Sequence, residues 1–174
     1  RVAELCQGKN LLLGPVEEGD HKKIGAAALG YQHTVIASSP IDINLAKQLN
    51  ILLANLGVPD QQLIMDTTVS GIGYGLEYAY SVIERVRMAA LSQQDEKLQF
   101  PIICNVSRET WKTKEAQITA EEDPKMGDAK KRGILLEAIS AACLLLAGGD
   151  ILIMRHPEAI RLVRQMVAEL TKVE

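Results

Sequence analysis

Hydroxyl, carboxyl, amide and imidazole groups recur in this chain just after short apolar runs. Ser38-Ser39, Asp66-Thr67-Thr68, Asn105 with Ser107, and Arg155-His156 each occupy such a position. If the runs are parallel strands, these residues sit at the carboxyl ends, where α/β proteins bind ligands. They offer hydrogen-bond donors and acceptors suited to a polar ligand edge. Each also has a plainer use as the cap of the following helix, as Ser39 and His156 would be. The stretch Ser70-Gly71-Ile72-Gly73-Tyr74-Gly75 lies between a strand and a helix, where backbone N–H groups of Gly71 and Gly73 could face an anion or a polar ligand edge. Its G-x-G-x-G spacing is one residue short of the dinucleotide fingerprint, and no Lys-Ser/Thr pair follows. A long loop that needs positive φ is the alternative.

Other chemistries find less support. Cys6, Cys104 and Cys143 form no C-x-x-C pair, and His21, His33 and His156 have no i, i+4 partner, so no self-contained metal or iron–sulfur site is expected. Cys104 and Cys143 read as inert core thiols. No G-x-S-x-G elbow exists, and Ser38, Asp66 and His156 are too widely compatible to define a triad. Trp111, just past a strand end, either covers a ligand or partner surface or packs locally.

The elements that would position these groups are five β-rich apolar segments, 10–14, 34–38, 63–67, 101–106 and 151–155. Helical patterns alternate with them. Leu45, Leu49, Leu52, Leu53 and Leu56 mark one face of a helix that is expected to start with Ser39 as cap and Pro40 at the first turn, and to stop at Gly57. A third helix is read over 76–91. A fourth starts near Asp128, ends at Gly148-Gly149 and is apolar almost all round over 138–147, which implies burial on more than one side. A last helix starts at Pro157. Residues 113–127 are polar and read as a mobile surface loop or irregular helix. Residues 2–6 followed by Gly8 look like the last turn of a helix.

Five βα units predict parallel pairing with right-handed crossovers, either in an open doubly wound sheet or in part of an eight-stranded barrel. Eight units need roughly 250 residues; the chain has 174. The expectation is therefore a single domain made of the last five units of a (β/α)₈ barrel. Such a piece exposes two sheet edges and invites self-association. Aromatic residues are only 3% of the chain against 47% hydrophobic, so the core is aliphatic. A net charge of -3 without a basic stripe argues against nucleic acid, no apolar run is long enough for a membrane span, and three scattered cysteines fit a reducing cytoplasm.

Several longer motifs carry a family likeness. Ser39-Pro40-Ile41-Asp42-Ile43-Asn44, Gly71-Ile72-Gly73-Tyr74-Gly75-Leu76-Glu77-Tyr78, Trp111-Lys112, Arg132-Gly133-Ile134-Leu135 and Met154-Arg155-His156-Pro157-Glu158-Ala159 occur in order along nearly the whole chain. In these the chain resembles the small subunit of the corrinoid iron–sulfur protein, whose family includes the delta subunit of acetyl-CoA decarbonylase/synthase. The resemblance implies a TIM barrel that pairs with a large subunit carrying the corrinoid and the iron–sulfur cluster. It implies a non-catalytic role in passing a methyl group from a methyltetrahydropterin methyltransferase to acetyl-CoA synthase. On that likeness Ser38, Ser39, Asp66, Thr67, Gly71, Gly73, Tyr74, Asn105, Arg155 and His156 are the expected corrinoid-facing residues. A pterin-dependent methyltransferase of the same fold, with Asp66 and Asn105 on the pterin, is the alternative.

Overall fold

The computed structural model describes residues 1–69 and 71–172; Ser70 of the glycine-rich stretch lies outside them. All five apolar segments form strands: β1 (Leu12–Val16), β2 (Thr34–Pro40), β3 (Leu63–Val69), β4 (Ile103–Cys104) and β5 (Ile151–Leu152). Every pairing is parallel. Leu12 stands opposite Thr34, Val35 opposite Leu63, and Ile103 opposite Ile151. A parallel bridge between Met65 and Ile102, with Met65 N–H donating to the Pro101 carbonyl at 2.8 Å, joins the first three strands to the last two. The order is therefore 1-2-3-4-5, without the reversal that a doubly wound sheet carries. The strands do not close on themselves: β1 and β5 each pair on one side only among the described residues.

Around them run α1 (Val2–Leu5), α2 (His21–Tyr31), α3 (Ile43–Asn55), α4 (Gly71–Tyr74), α5 (Leu76–Ser92), α6 (Val106–Thr110), α7 (Lys114–Gln117), α8 (Ala129–Ala147) and α9 (Pro157–Leu170). None of the described helices is long and apolar enough to cross a membrane. Because a strand's side chains alternate, each strand divides its residues between two faces. Val35, Ala37, Leu63, Met65, Ile102 and Cys104 join Leu49, Leu53, Ile83, Val86, Leu144 and Val163 in one aliphatic core between sheet and helices. Ile36, Ser38, Asp66, Thr68, Ile103 and Asn105 take the other face, where they line a cavity.

Two local expectations need correction; a third, for α8, holds in part, and for residues 113–127 the irregular-helix alternative is the one found. Ser39 and Pro40 do not open a helix; they extend β2, with Pro40 opposite Val69, and the cap of α3 is Asp42, whose Oδ1 accepts from Asn44 N–H at 2.7 Å and Leu45 N–H at 3.2 Å. The Ser-Pro pair imitates a helix start, but the two-acceptor carboxylate three residues on satisfies the orphan amides. β4 and β5 are only two residues long, since Asn105 and the polar 153–156 segment turn away into α6 and α9. α8 begins after Asp128 and stops at Gly148 in the left-handed region (φ 114°) as expected, and it packs on α5, α6, α7 and α9; yet Leu135, Ile139 and Leu146 remain exposed along one stripe. Residues 113–127 contain α7 and a 3-10 turn at Pro124–Met126. The Arg132 guanidinium holds them by donating to the carbonyls of Glu115, Ile118, Met126 and Gly127.

Candidate functional site

At the carboxyl ends of the strands lie two adjoining cavities that share Glu17 and Ser38 in their walls. The first, of about 340 Å³, takes residues from every strand or its end: Gly14 and Glu17 at β1, Ser38 at β2, Asp66 and Thr68 at β3, Asn105 at β4 and Ile153 at β5. Asp66 Oδ1 accepts from the N–H and the hydroxyl of Thr68, at 3.1 and 3.0 Å, so its second oxygen is the one turned to other use. Burial pushes the Asp66 carboxyl above the usual Asp range, and the Glu109 carboxylate adds to this against the opposing Thr68 bonds. A carboxyl held towards its protonated form can donate as well as accept. Asn105 Oδ1 accepts from Arg108 N–H and the Ser107 hydroxyl as the α6 cap, which leaves the amide nitrogen as its free donor.

The second cavity, of about 470 Å³, lies between the end of β2, α3 and α4. Ser38 and Ser39 wall its polar side, Ile41, Leu45 and Leu49 its apolar side, and Glu17, Glu18 and the largely exposed Tyr74 its rim. Neither serine hydroxyl has a hydrogen-bond partner among the described residues, although both side chains are buried. A buried hydroxyl left alone forfeits its water bonds without replacement, and the hydroxyls of Thr67, Thr110 and Ser140 and the amide oxygen of Asn50 share that state.

The other expected residues are placed elsewhere. Thr67, on the opposite face of β3 from Asp66, is fully buried on the helix side. Gly71 is buried where a Cβ would stand 3.0 Å from Ala79 and Ile41, closer than ordinary contact, so its place is explained by packing. Gly73 is exposed on the short helix α4, which absorbs the glycine run; the positive φ falls on Gly75 at 152°. Arg155 and His156 belong to a separate cluster. His156 caps α9, its Nδ1 accepting from Glu158 N–H at 3.1 Å, and its ring stacks on Trp111 with centroids 6.1 Å apart. The Arg155 guanidinium lies 5.2 Å from the Trp111 ring centroid. Under them sits Glu137, wholly buried in α8, whose carboxylate accepts from Trp111 Nε1–H at 3.0 Å, His156 N–H at 3.1 Å and Arg155 N–H. Gly133 makes room for the indole: a Cβ there would come within 2.6 Å of Trp111 Cζ3.

Glu137 escapes a reading of the sequence because a single Glu in a helix ordinarily marks a solvated face. Its only signal is its place just before the most apolar stretch of α8. Cys104 is an inert thiol as expected, its pKa pushed up to about 12 by burial and, less strongly, by Asp66.

Comparison with known proteins decides the family. The model of the CO dehydrogenase/acetyl-CoA synthase delta subunit family matches residues 1–171. The chain belongs to that family. Relatives of this chain include the acetyl-CoA decarbonylase/synthase complex subunit delta of Methanosarcina mazei, 35% identical over 98% of the chain and 40% of the relative. The corresponding subunit of Methanopyrus kandleri is 37% identical over 95% of the chain and 40% of the relative. That of Archaeoglobus fulgidus is 34% identical over 95% and 37%. The chain thus spans about 40% of the length of the curated relatives it matches.

Proposed function

We propose that this chain forms five consecutive units of a delta-subunit barrel whose strand-end surface meets the edge of a corrinoid held by a larger partner subunit. In this reading the chain supports methyl transfer from a methyltetrahydropterin to acetyl-CoA synthase in the cytoplasm, and catalyses no step itself. The sequential parallel strand order and the single cavity touched by all five strands support the barrel segment. The unpaired outer edges of β1 and β5 make the isolated chain prone to associate with itself.

The observation that carries the reading is the convergence of Ser38, Asp66 and Asn105 on one cavity at the carboxyl ends. A corrinoid bears peripheral carboxamides, and a hydroxyl, a carboxyl biased towards its protonated form and a carboxamide nitrogen can meet both the donors and the acceptors of such groups. The macrocycle itself is larger than either cavity, so the residues fit its rim and not its whole body. When bound, the corrinoid supplies a cobalt that accepts and gives up a methyl group. The chain's own side chains would hydrogen-bond the edge, and Ile36, Ile103 and Ile153 would keep the cavity wall dry. The chain's cysteines do not suit an iron–sulfur cluster: Cys104 is sealed in the core, and among the described residues no three metal-ligating side chains gather. That cluster is assigned to the partner.

Reconstitution with the large corrinoid subunit tests the reading. Tyr74→Ala and Asn105→Ala should alter the corrinoid absorption spectrum or slow methyl transfer; unchanged spectra and rates would overturn the assignment. One observation favours a second reading, direct pterin binding: the 340 Å³ cavity with Asp66 and Asn105 is of a size for a bicyclic ring. Calorimetry with methyltetrahydrofolate separates the two, since tight binding to the chain alone supports only the second.

A further inference from the structure

The outward face of α8 carries no charge. From Gly133 to Gly149 the only charged residue is Glu137, and it is wholly buried. A helix face turned to water ordinarily bears Lys, Arg, Asp or Glu. Here Leu135, Ile139 and Leu146 are each more than half exposed, and Ala142 between them is partly so. At about 100° per residue these four fall within about 60° of arc. That arc lies opposite Gly133, Glu137, Ser140, Ala141 and Leu144, which face the interior. α8 already packs on α5 and α9, the helices that follow the two neighbouring strands. The apolar stripe is therefore a further face of the helix, and contiguous exposed apolar surface of this kind marks a protein contact.

The spacing of the stripe selects what covers it. Its steps of four, three and four residues are those of a coiled-coil seam. Read backwards the steps are the same, so an antiparallel copy of the helix matches the stripe position for position. Leu135 then meets Leu146 of the second copy, and the bulkier Ile139 meets the small Ala142. The same register carries Lys131, four residues before the stripe, to Asp150, four residues beyond it. Both are exposed and opposite in charge. Lys131 makes no ion pair among the described residues, and Asp150 spends Oδ2 on Arg87 and on Ile102 N–H, with Oδ1 unengaged among them. Parallel pairing would instead set Lys130 and Lys131 of one copy against the same residues of the other, like charge on like. We propose that α8 is the contact of a two-fold symmetric dimer of this chain, packed antiparallel on its own copy through Leu135, Ile139, Ala142 and Leu146. The stripe lies on the outside of the helix layer, so the dimer is independent of the strand-end reading and of association through the open strand edges. One helix pair is a small interface, so the dissociation constant should be on the order of 10 µM. The lysine–aspartate pairs are exposed and set the direction of packing more than its strength.

Sedimentation equilibrium of the chain tests this. Wild type should pass from monomer to dimer, and no further, as its concentration rises through that range. Ile139→Glu/Leu146→Glu puts four carboxylates into one desolvated seam and should weaken the dimer at least about a hundredfold. Both positions are exposed, so the variant should keep the wild-type circular dichroism. Lys131→Glu should weaken the dimer by only about fivefold. A nitroxide on Lys131→Cys, in a Cys6→Ser/Cys143→Ser background, reads the direction without altering the stripe, which keeps the test open if the glutamate variant misfolds. At about 1.5 Å of rise per residue, the two labels should lie about 30 Å apart in the antiparallel dimer and about 10 Å apart in a parallel one. A chain still monomeric at about 1 mM, a dimer that the glutamates leave intact, or labels at the shorter distance would each overturn the proposal. An intact glutamate dimer would move self-association to the open edges of β1 and β5. A monomer whose α8 is protected from hydrogen exchange by the large corrinoid subunit would give the stripe to that subunit instead.

Discussion

The two polar regions of this molecule treat hydrogen bonding in opposite ways. Around Glu137 the charged acceptor is fully used: an indole N–H and two backbone N–H groups converge on one buried carboxylate, and His156 doubles as a helix cap, although the buried hydroxyls of Thr110 and Ser140, next to Trp111 and one turn along α8, have no partner among the described residues. At the strand ends, by contrast, Ser38 and Ser39 are buried with hydroxyls that no described residue engages, and Asp66 uses one oxygen on its neighbour Thr68. A satisfied network specifies structure and has nothing left to offer a ligand. An unsatisfied one costs stability until something else completes it. The contrast therefore assigns recognition to the cavities and scaffolding to the Trp111 cluster, although both stand where strands give way to helices.

The strongest way to break this contrast is Glu137→Ala. It strands three N–H donors, two of them main-chain, and empties a wholly buried volume, so a loss of about 3–5 kcal/mol is expected from urea unfolding, with altered Trp111 fluorescence. A loss below about 1 kcal/mol would show that the cluster is not a scaffold. Gly133→Ala should do less. Helix propensity favours Ala by about 1 kcal/mol, but the Cβ falls on the pinned indole. An overpacking penalty of about 1–3 kcal/mol should leave a net loss and a shift in indole emission.

Asp66→Asn reaches the other region and should act in the opposite sense. The folded chain holds the Asp66 proton at a pH where the unfolded chain has released it, because burial raises the folded value. The associated stabilisation is complete below the unfolded value of about 3.9 and is lost as pH rises through the raised folded value. Asparagine abolishes that loss, so the variant should be the more stable protein at neutral pH, with a flatter dependence over the interval between the two values. Urea titrations at a series of pH values measure both. A wild type more stable than the variant at pH 7 would mean that Asp66 is ionised and paired, and would move the strand-end region towards the scaffold class.

How much of this was legible depends on the range over which each feature is encoded. The five strands, the Asp128 and Gly148 ends of α8 and the Pro157 start of α9 are local patterns of apolar residues, caps and breakers, and they read directly. The start of α3 misled because two cap signals, Ser39-Pro40 and Asp42, compete within four residues, and the β2–β3 register decides between them. Thr67 could have been separated from Asp66 by the two-residue period of a strand alone. The Trp111 cluster could not be found that way. Its carboxylate and its donors lie 18 to 26 residues apart, and nothing in the composition of α8 announces that its one interior acid faces inward.

Arg132 has a consequence of its own. It fastens residues 115–127 through four main-chain carbonyls, groups that every amino acid carries. The shape of that segment is thus written largely in a helix outside it. Point substitutions along the segment can accumulate while its path persists, whereas a one-residue insertion, which moves the carbonyls off the guanidinium, would be felt at once. The segment is free in composition and constrained in length.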